Sequence, residues 1–136
     1  MTMTQKVEAF KEDLELFETP NDKLDYILDL SKNFKGLPQE AQNDANLIKG
    51  CSSKAWLTKE MQDGKIILKA DAESLIAKGM LTLLLAIFSN RSAEEILAFN
   101  PKELENLGFA ELLSPVRLQG LDAFLHVIYT YAQKGE

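Results

Sequence analysis

Two alternating runs meet at Asp63-Gly64, and no other feature narrows the choice of fold as much. Ahead of the pair, Ala55, Leu57 and Met61 alternate with Lys54, Trp56, Thr58 and Glu60. Behind it, Ile66, Leu68 and Ala70 alternate with Lys65, Ile67 and Lys69. A period of two puts each set on one face of a strand, and Asp-Gly accepts the positive φ angles of a two-residue hairpin turn. The spacing predicts an antiparallel hairpin, with residues 46–49 as a third strand ahead of Cys51. Three strands are about the fewest that make a stable sheet, and so small a sheet must cover a face with helices.

Helical periodicity surrounds this segment. Val7, Phe10, Leu14 and Phe17 form one apolar stripe, and Leu24, Ile27, Leu28 and Phe34 form another. Thr19-Pro20 separates the two as a cap followed by a proline at the first helical position, and Gly36 and Pro38 end the second. Residues 75–89 are apolar nearly all round, which marks a buried central helix. Lys78, Gly79 and Thr82 interrupt that run, which is too short for the roughly 20 residues of a membrane span. Residues 92–99 and 101–107 read as short helices capped by Ser92 and Asn100. Ser114-Pro115 opens a last long helix with Leu121, Phe124, Leu125 and Ile128 as its core stripe. The expected architecture is a single α+β domain over residues 1–136, a small three-stranded antiparallel sheet packed by N-terminal and C-terminal helices. The first eleven residues hold no apolar run of signal-peptide length, and an unpaired Cys suits a reducing compartment, so a cytoplasmic protein is expected.

The chain has one Cys and one His among 136 residues, which excludes an internal disulfide, a Cys₂His₂ or Cys₄ zinc site and an all-protein iron–sulfur cluster. Lys and Arg number 15 against 21 Asp and Glu, so nucleic acid is not the expected partner. The charge is uneven. Residues 1–30 hold 3 basic and 8 acidic side chains, residues 31–78 hold 8 and 6, and residues 79–136 hold 4 and 7. Cys51 therefore lies in the only basic part of an acidic chain.

A lone Cys is most simply a small core hydrophobe. Its neighbours favour a reactive thiol instead, because Gly50, Ser52 and Ser53 form loops and Lys49 and Lys54 supply cations that depress a thiol's pKa. Lowering that pKa from about 8.5 to about 7.5 raises the thiolate fraction at neutral pH roughly sixfold. A Cys–His nucleophile pair would need His126, which falls with Asp122, Tyr129, Thr130 and Gln133 on the polar side of the last helix. No Cys-x-x-Cys, Gly-x-Ser-x-Gly, phosphate-binding glycine loop or His-Glu-x-x-His is present. What remains is chemistry that one thiol performs alone, such as thiol exchange or carriage of a sulfur or acyl group. Arg117 extends the core stripe of the last helix into its first turn, where the helix dipole disfavours a cation. Either its stem packs on the core while its head reaches water, or it faces an anion for which Gly120 leaves room.

Asn-Leu-Ile-Lys-Gly-Cys-Ser-Ser-Lys-Ala-Trp (46–56) resembles the signature of the SufE family of sulfur acceptors, whose members carry Gly-Cys-x-Ser-x-x-Trp. Ile76-Ala77-Lys78-Gly79-Met80 is similar to the family's Ile-Val-Lys-Gly-Leu, and residues 114–120 to its Ser-Pro-x-Arg-x-x-Gly. Where members read Gly-Asp-Ser-Asp, this chain has Ala70-Asp71-Ala72-Glu73, so that the motif's Ser is missing ahead of the central helix.

The resemblance implies an accessory protein, sulfurtransferase-like rather than an independent hydrolase or oxidoreductase. Cys51 would accept persulfide sulfur from a cysteine desulfurase (SufS-like) and stimulate it. It would then pass the sulfur to an iron–sulfur scaffold complex (SufBCD-like). Arg117 is the candidate anion stabiliser, with Lys49, Gly50, Ser53 and Lys54 as the supporting loop. Leu47, Ile48, Trp56 and the 75–88 helix are the apolar material to shelter the sulfur. No cofactor, metal, nucleic acid or membrane is implied for this chain, and pyridoxal phosphate belongs to the desulfurase. Two alternatives stand beside this reading. One is a CsdE-type acceptor that serves a second type of desulfurase and can feed tRNA modification. The other is a non-catalytic interaction module with a structural Cys.

Overall fold

The computed structural model describes residues 1–50 and 53–134. Its elements are α1 (Met3–Glu15), α2 (Pro20–Leu30), β1 (Ala55–Gln62), β2 (Lys65–Ala72), α3 (Leu75–Phe88), α4 (Ala93–Ala98), α5 (Phe109–Leu112) and α6 (Pro115–Lys134). Short 3₁₀ turns occupy Ser31–Asn33, Gln39–Ala41 and Pro101–Leu107.

The helices start where small polar side chains satisfy free amides. The hydroxyls of Thr2, Thr19, Ser74 and Ser92 accept from the amides of Gln5, Asp22, Ala77 and Glu95, each at 3.1 Å. Gln5 and Glu95 return the bond to the cap amide, completing capping boxes. Ser74 thus caps the central helix, although the motif's own Ser is absent two residues earlier. Residues 101–107 form a 3₁₀ run instead of the expected α-helix, stopped by Gly108 in the left-handed conformation at φ 75°. The run lies between Pro101 and that glycine, which leaves little length for α-helical bonds. The four-residue helix α5 follows it, an element the periodicity does not announce.

α3 is the central helix. Leu83, Ile87 and Phe88 are fully buried, with α1, α2 and β2 packed around them. Gly79 sets its approach to α2, because a Cβ at that position would lie 2.1 Å from the Ile27 carbonyl oxygen. Phe124 and Ile128 of α6 complete the core from the other side. Tyr129 donates to the Phe99 carbonyl at 2.9 Å, tying α6 to the end of α4.

The hairpin register pairs Ala55 with Ala72 through Gln62 with Lys65, across the turn at Asp63 and Gly64. The sheet has two strands, not the expected three. Residues 46–49 contribute one bridge, Leu47 to Trp56, with backbone bonds from Ile48 to Ala55 and from Leu57 to Asn46, each at 2.8 Å. The segment leaves a turn just before this bridge, where Asn46 donates to both the carbonyl and the side-chain oxygen of Asn43. Gly50 then takes φ 97°, outside the β region, so pairing stops after one residue. Met61, of the same alternating set as Ala55 and Leu57, is half exposed, although its cross-strand partner Ile66, bridged to Arg91, is buried, so the covering at this end lies over β2 and not β1. His126 is exposed on α6, as expected.

Two outcomes check this packing. Gly79→Ala forces α2 and α3 apart and should cost at least about 2 kcal/mol, read as a fall in thermal midpoint; Leu75→Ala, at an exposed site on the same helix, should leave it unchanged. Burial, with the Asp13 carboxylate bonded at 3.0 Å, pushes the Tyr26 hydroxyl up to about 12, and burial beside Glu103 does the same for Tyr129. Both phenols stay neutral longer folded than unfolded. Their contribution to stability is whole below pH 10 and is lost as pH rises towards 12, which denaturation at alkaline pH and the ultraviolet absorbance of the phenolate will follow.

Candidate functional site

The chain reaches the site along two limbs held by different bonds. The incoming limb, residues 36–50, crosses one face of the hairpin. Its polar side chains wire it together: Gln42 donates to the Leu37 carbonyl, Asn43 to that of Glu40 and Asn46 to that of Ala41, at 3.1, 2.8 and 2.9 Å. The outgoing limb begins at Lys54. Its amide donates to the Glu73 carboxylate, and its carbonyl accepts from the Glu73 amide, both at 3.0 Å. Cys51, the candidate acceptor, and Ser52 lie between these limbs and outside the described residues.

Beside the limbs opens a cavity of about 70 Å³. A water needs roughly 10–15 Å³ on this measure, so a few waters or one small side chain would fit. Ile48 and Ser53, which stand on either side of Cys51 in the chain, both line it. Ala77, Met80 and Leu84 of α3 form another wall, and Val116, Leu121 and Phe124 of α6 a third. The lining is thus almost wholly apolar, with Arg117 and Ser53 as its polar members.

Arg117 combines the two roles considered for it. Its half-buried side chain lines the cavity, and its guanidinium donates to the Ser53 hydroxyl in a long contact of 3.4 Å. Among the described residues no carboxylate lies within ion-pair distance of it. Its amide faces the Ser114 hydroxyl, also at 3.4 Å, in the first turn of α6. A cation there opposes the helix dipole, so both the guanidinium and the helix end favour a nearby anion.

The expected residues are brought together in part. Ser53 and Arg117 meet, and Gly50 lies against α6, where a Cβ added to it would stand 3.4 Å from that of Ala123. Lys49 and Lys54 are exposed and line no part of the cavity. Of the expected shelter, Ile48 and α3 line the cavity, whereas Leu47 and Trp56 do not. Trp56 is buried on the opposite face of the hairpin, bridged to Leu47 and paired in register with Asp71. Strand alternation separates Trp56 from Ala55, which does line the cavity. The wall from α6 was not expected, although Leu121 and Phe124 stand in that helix's apolar stripe. His126 follows Arg117 by nine residues, about 13 Å along the helix, and takes no part.

No helix among the described residues is long and apolar enough to cross a membrane. In overall shape the chain is similar to the solution structure of a hypothetical protein from Thermus thermophilus, with a TM-score of 0.75. That likeness covers 98% of this chain and 97% of the other at 20% identity, and it bears on the fold alone. In sequence the chain is 27% identical over 127 residues to an uncharacterized SufE-like protein of Rhizobium meliloti (strain 1021), covering 90% of this chain and 91% of that one. Residues 8–132 match the Fe-S metabolism associated domain that defines SufE. With that match across nearly its whole length, the chain belongs to the SufE family, whose work lies in the sulfur side of iron–sulfur metabolism.

Proposed function

We propose that this chain accepts sulfur on Cys51 from the persulfide of a pyridoxal-phosphate cysteine desulfurase, stimulates that enzyme, and hands the sulfur on to an iron–sulfur scaffold. The observation that carries this reading is an apolar cavity lined by residues on both sides of Cys51, with one arginine at its wall. Such a cavity keeps water and competing thiols from a bound sulfur, and the arginine favours its anionic form.

The chemistry is thiol exchange. The Cys51 thiolate attacks the outer sulfur of the desulfurase persulfide. A new S–S bond forms as the old one breaks, and the desulfurase cysteine leaves as a thiolate that takes up a proton. One S–S bond is broken and one is formed, so the oxidation level is unchanged and no outside oxidant or reductant is needed. Delivery repeats the step, with Cys51 as the leaving thiolate.

Mixing the protein with a SufS-type desulfurase and free cysteine, followed by intact-mass measurement, tests the proposal. The expected result is one added sulfur atom on the wild type and none on Cys51→Ser. An unmodified wild type, with either a SufS-type or a CsdA-type desulfurase, would overturn it. Arg117→Ala should lower the transfer rate on the order of tenfold, a loss of about 1.4 kcal/mol of stabilisation, with partial recovery in Arg117→Lys. A rate equal to wild type in Arg117→Ala removes that residue from the mechanism.

A further inference from the structure

Among the described residues Asp71 is the one buried charged side chain, at 9% exposure. Its burial has a use beyond the core. One carboxylate oxygen accepts from the Leu37 amide at 3.0 Å and from the Gln42 carboxamide at 3.1 Å, while the other accepts from the Ala72 amide at 2.8 Å. Among the described residues no cation pairs with it. A lone buried carboxylate is costly unless its acceptors are filled, and here backbone and carboxamide donors fill them. Gly36, at φ 67°, permits the approach, because a Cβ there would lie 2.6 Å from the carboxylate oxygen.

Both of the more distant donors belong to the limb that leads to Cys51. The limb enters the main core at Ile48, whereas Leu37 and Trp56, Asp71's partner in register, are buried yet separate from that core, so the Leu37–Gln42 end of the limb is not held by it. Among the described residues the limb next bonds to the backbone of β1 at Asn46 and Ile48 alone. Asp71 is therefore its anchor at the far end, and Gln42, bonded both to Asp71 and to Leu37, is the link.

We infer that Asp71, acting through Leu37 and Gln42, is a positioning residue that fixes the limb delivering Cys51 to the cavity. It touches neither sulfur nor the arginine; it sets where the acceptor is presented. The functional consequence rests on the reading of Cys51 as a sulfur acceptor.

Thiol reactivity tests the positioning without any desulfurase. Asp71→Asn replaces one acceptor by a donor facing donors, and Gln42→Ala removes the link from the partly exposed side. Each variant, folded by circular dichroism, should be alkylated at Cys51 by a polar maleimide at least about threefold faster than wild type, with all three equal in denaturant. The double variant should add little to either single one, since both break the same connection. In sulfur transfer with this protein as the varied acceptor, the effect should fall on the maximal rate and spare its half-saturating concentration, whereas an unfolded fraction would raise that concentration instead. Wild-type alkylation rates in folded Gln42→Ala overturn the inference even if Asp71→Asn fails to fold. Altered alkylation without any persulfide on the wild type would instead leave the positioning intact and defeat the sulfur-acceptor reading.

Discussion

A two-stranded hairpin cannot bury itself: each strand has two faces and an outer edge, and water reaches whatever its neighbours leave open. Everything else in this chain answers that constraint. One face of the strands lies on α3 and α6, where Ala55, Leu57, Ile66, Leu68 and Ala70 join the main core. The other face, at Trp56 and Asp71, is covered by an irregular limb instead of a helix. The two coverings meet where β1 begins. There the limb ends at Gly50 and the chain is described again from Ser53, and the cavity is lined by Ile48 from the one side and Ser53 from the other.

The two coverings are held by different physics. The helical side relies on apolar burial and on the close crossing of Gly79 with Ile27. The limb enters the core only at Ile48 among its described residues and otherwise relies on directional bonds from Leu37, Gln42, Asn43 and Asn46. Hydrogen bonds contribute less net free energy than a packed core but specify a path. For the proposed acceptor role, in which one side chain is delivered to one place, the second kind of attachment is the suitable one. Lys54 and Glu73 perform the same service on the way out.

Much of this was legible from the residues. The hairpin and its turn follow from alternation around Asp63-Gly64, and the principal helices follow from their stripes and caps. The third strand did not form, because residues 46–49 are bounded by a carboxamide turn and a glycine of positive φ, features that alternation does not weigh. The cavity was half legible. Ile48 and α3 line it as expected, whereas Leu47 and Trp56 do not. Parity alone would have sent Trp56 to the far face. Asp71 stands in the acidic motif ahead of α3, but its burial was not legible, because its donors come from 34 and 29 residues away and no local pattern announces them.

The single bridge at each margin of the sheet has a meaning of its own. Beside β2, Arg91 and Asn90 exchange backbone bonds with Ile66 at 2.7 and 2.8 Å, and the Ser89 hydroxyl accepts from the Leu68 amide at 2.9 Å. Asn90 is left-handed at φ 63°, which turns the chain away before a ladder can extend. Beside β1, the limb takes the outward groups of Ala55 and Leu57. Each margin is thereby stopped with a few residues of irregular chain. Strand addition by a second chain is thereby denied the backbone groups nearest the site, at Ala55 and Leu57, and those at Ile66 beside the turn.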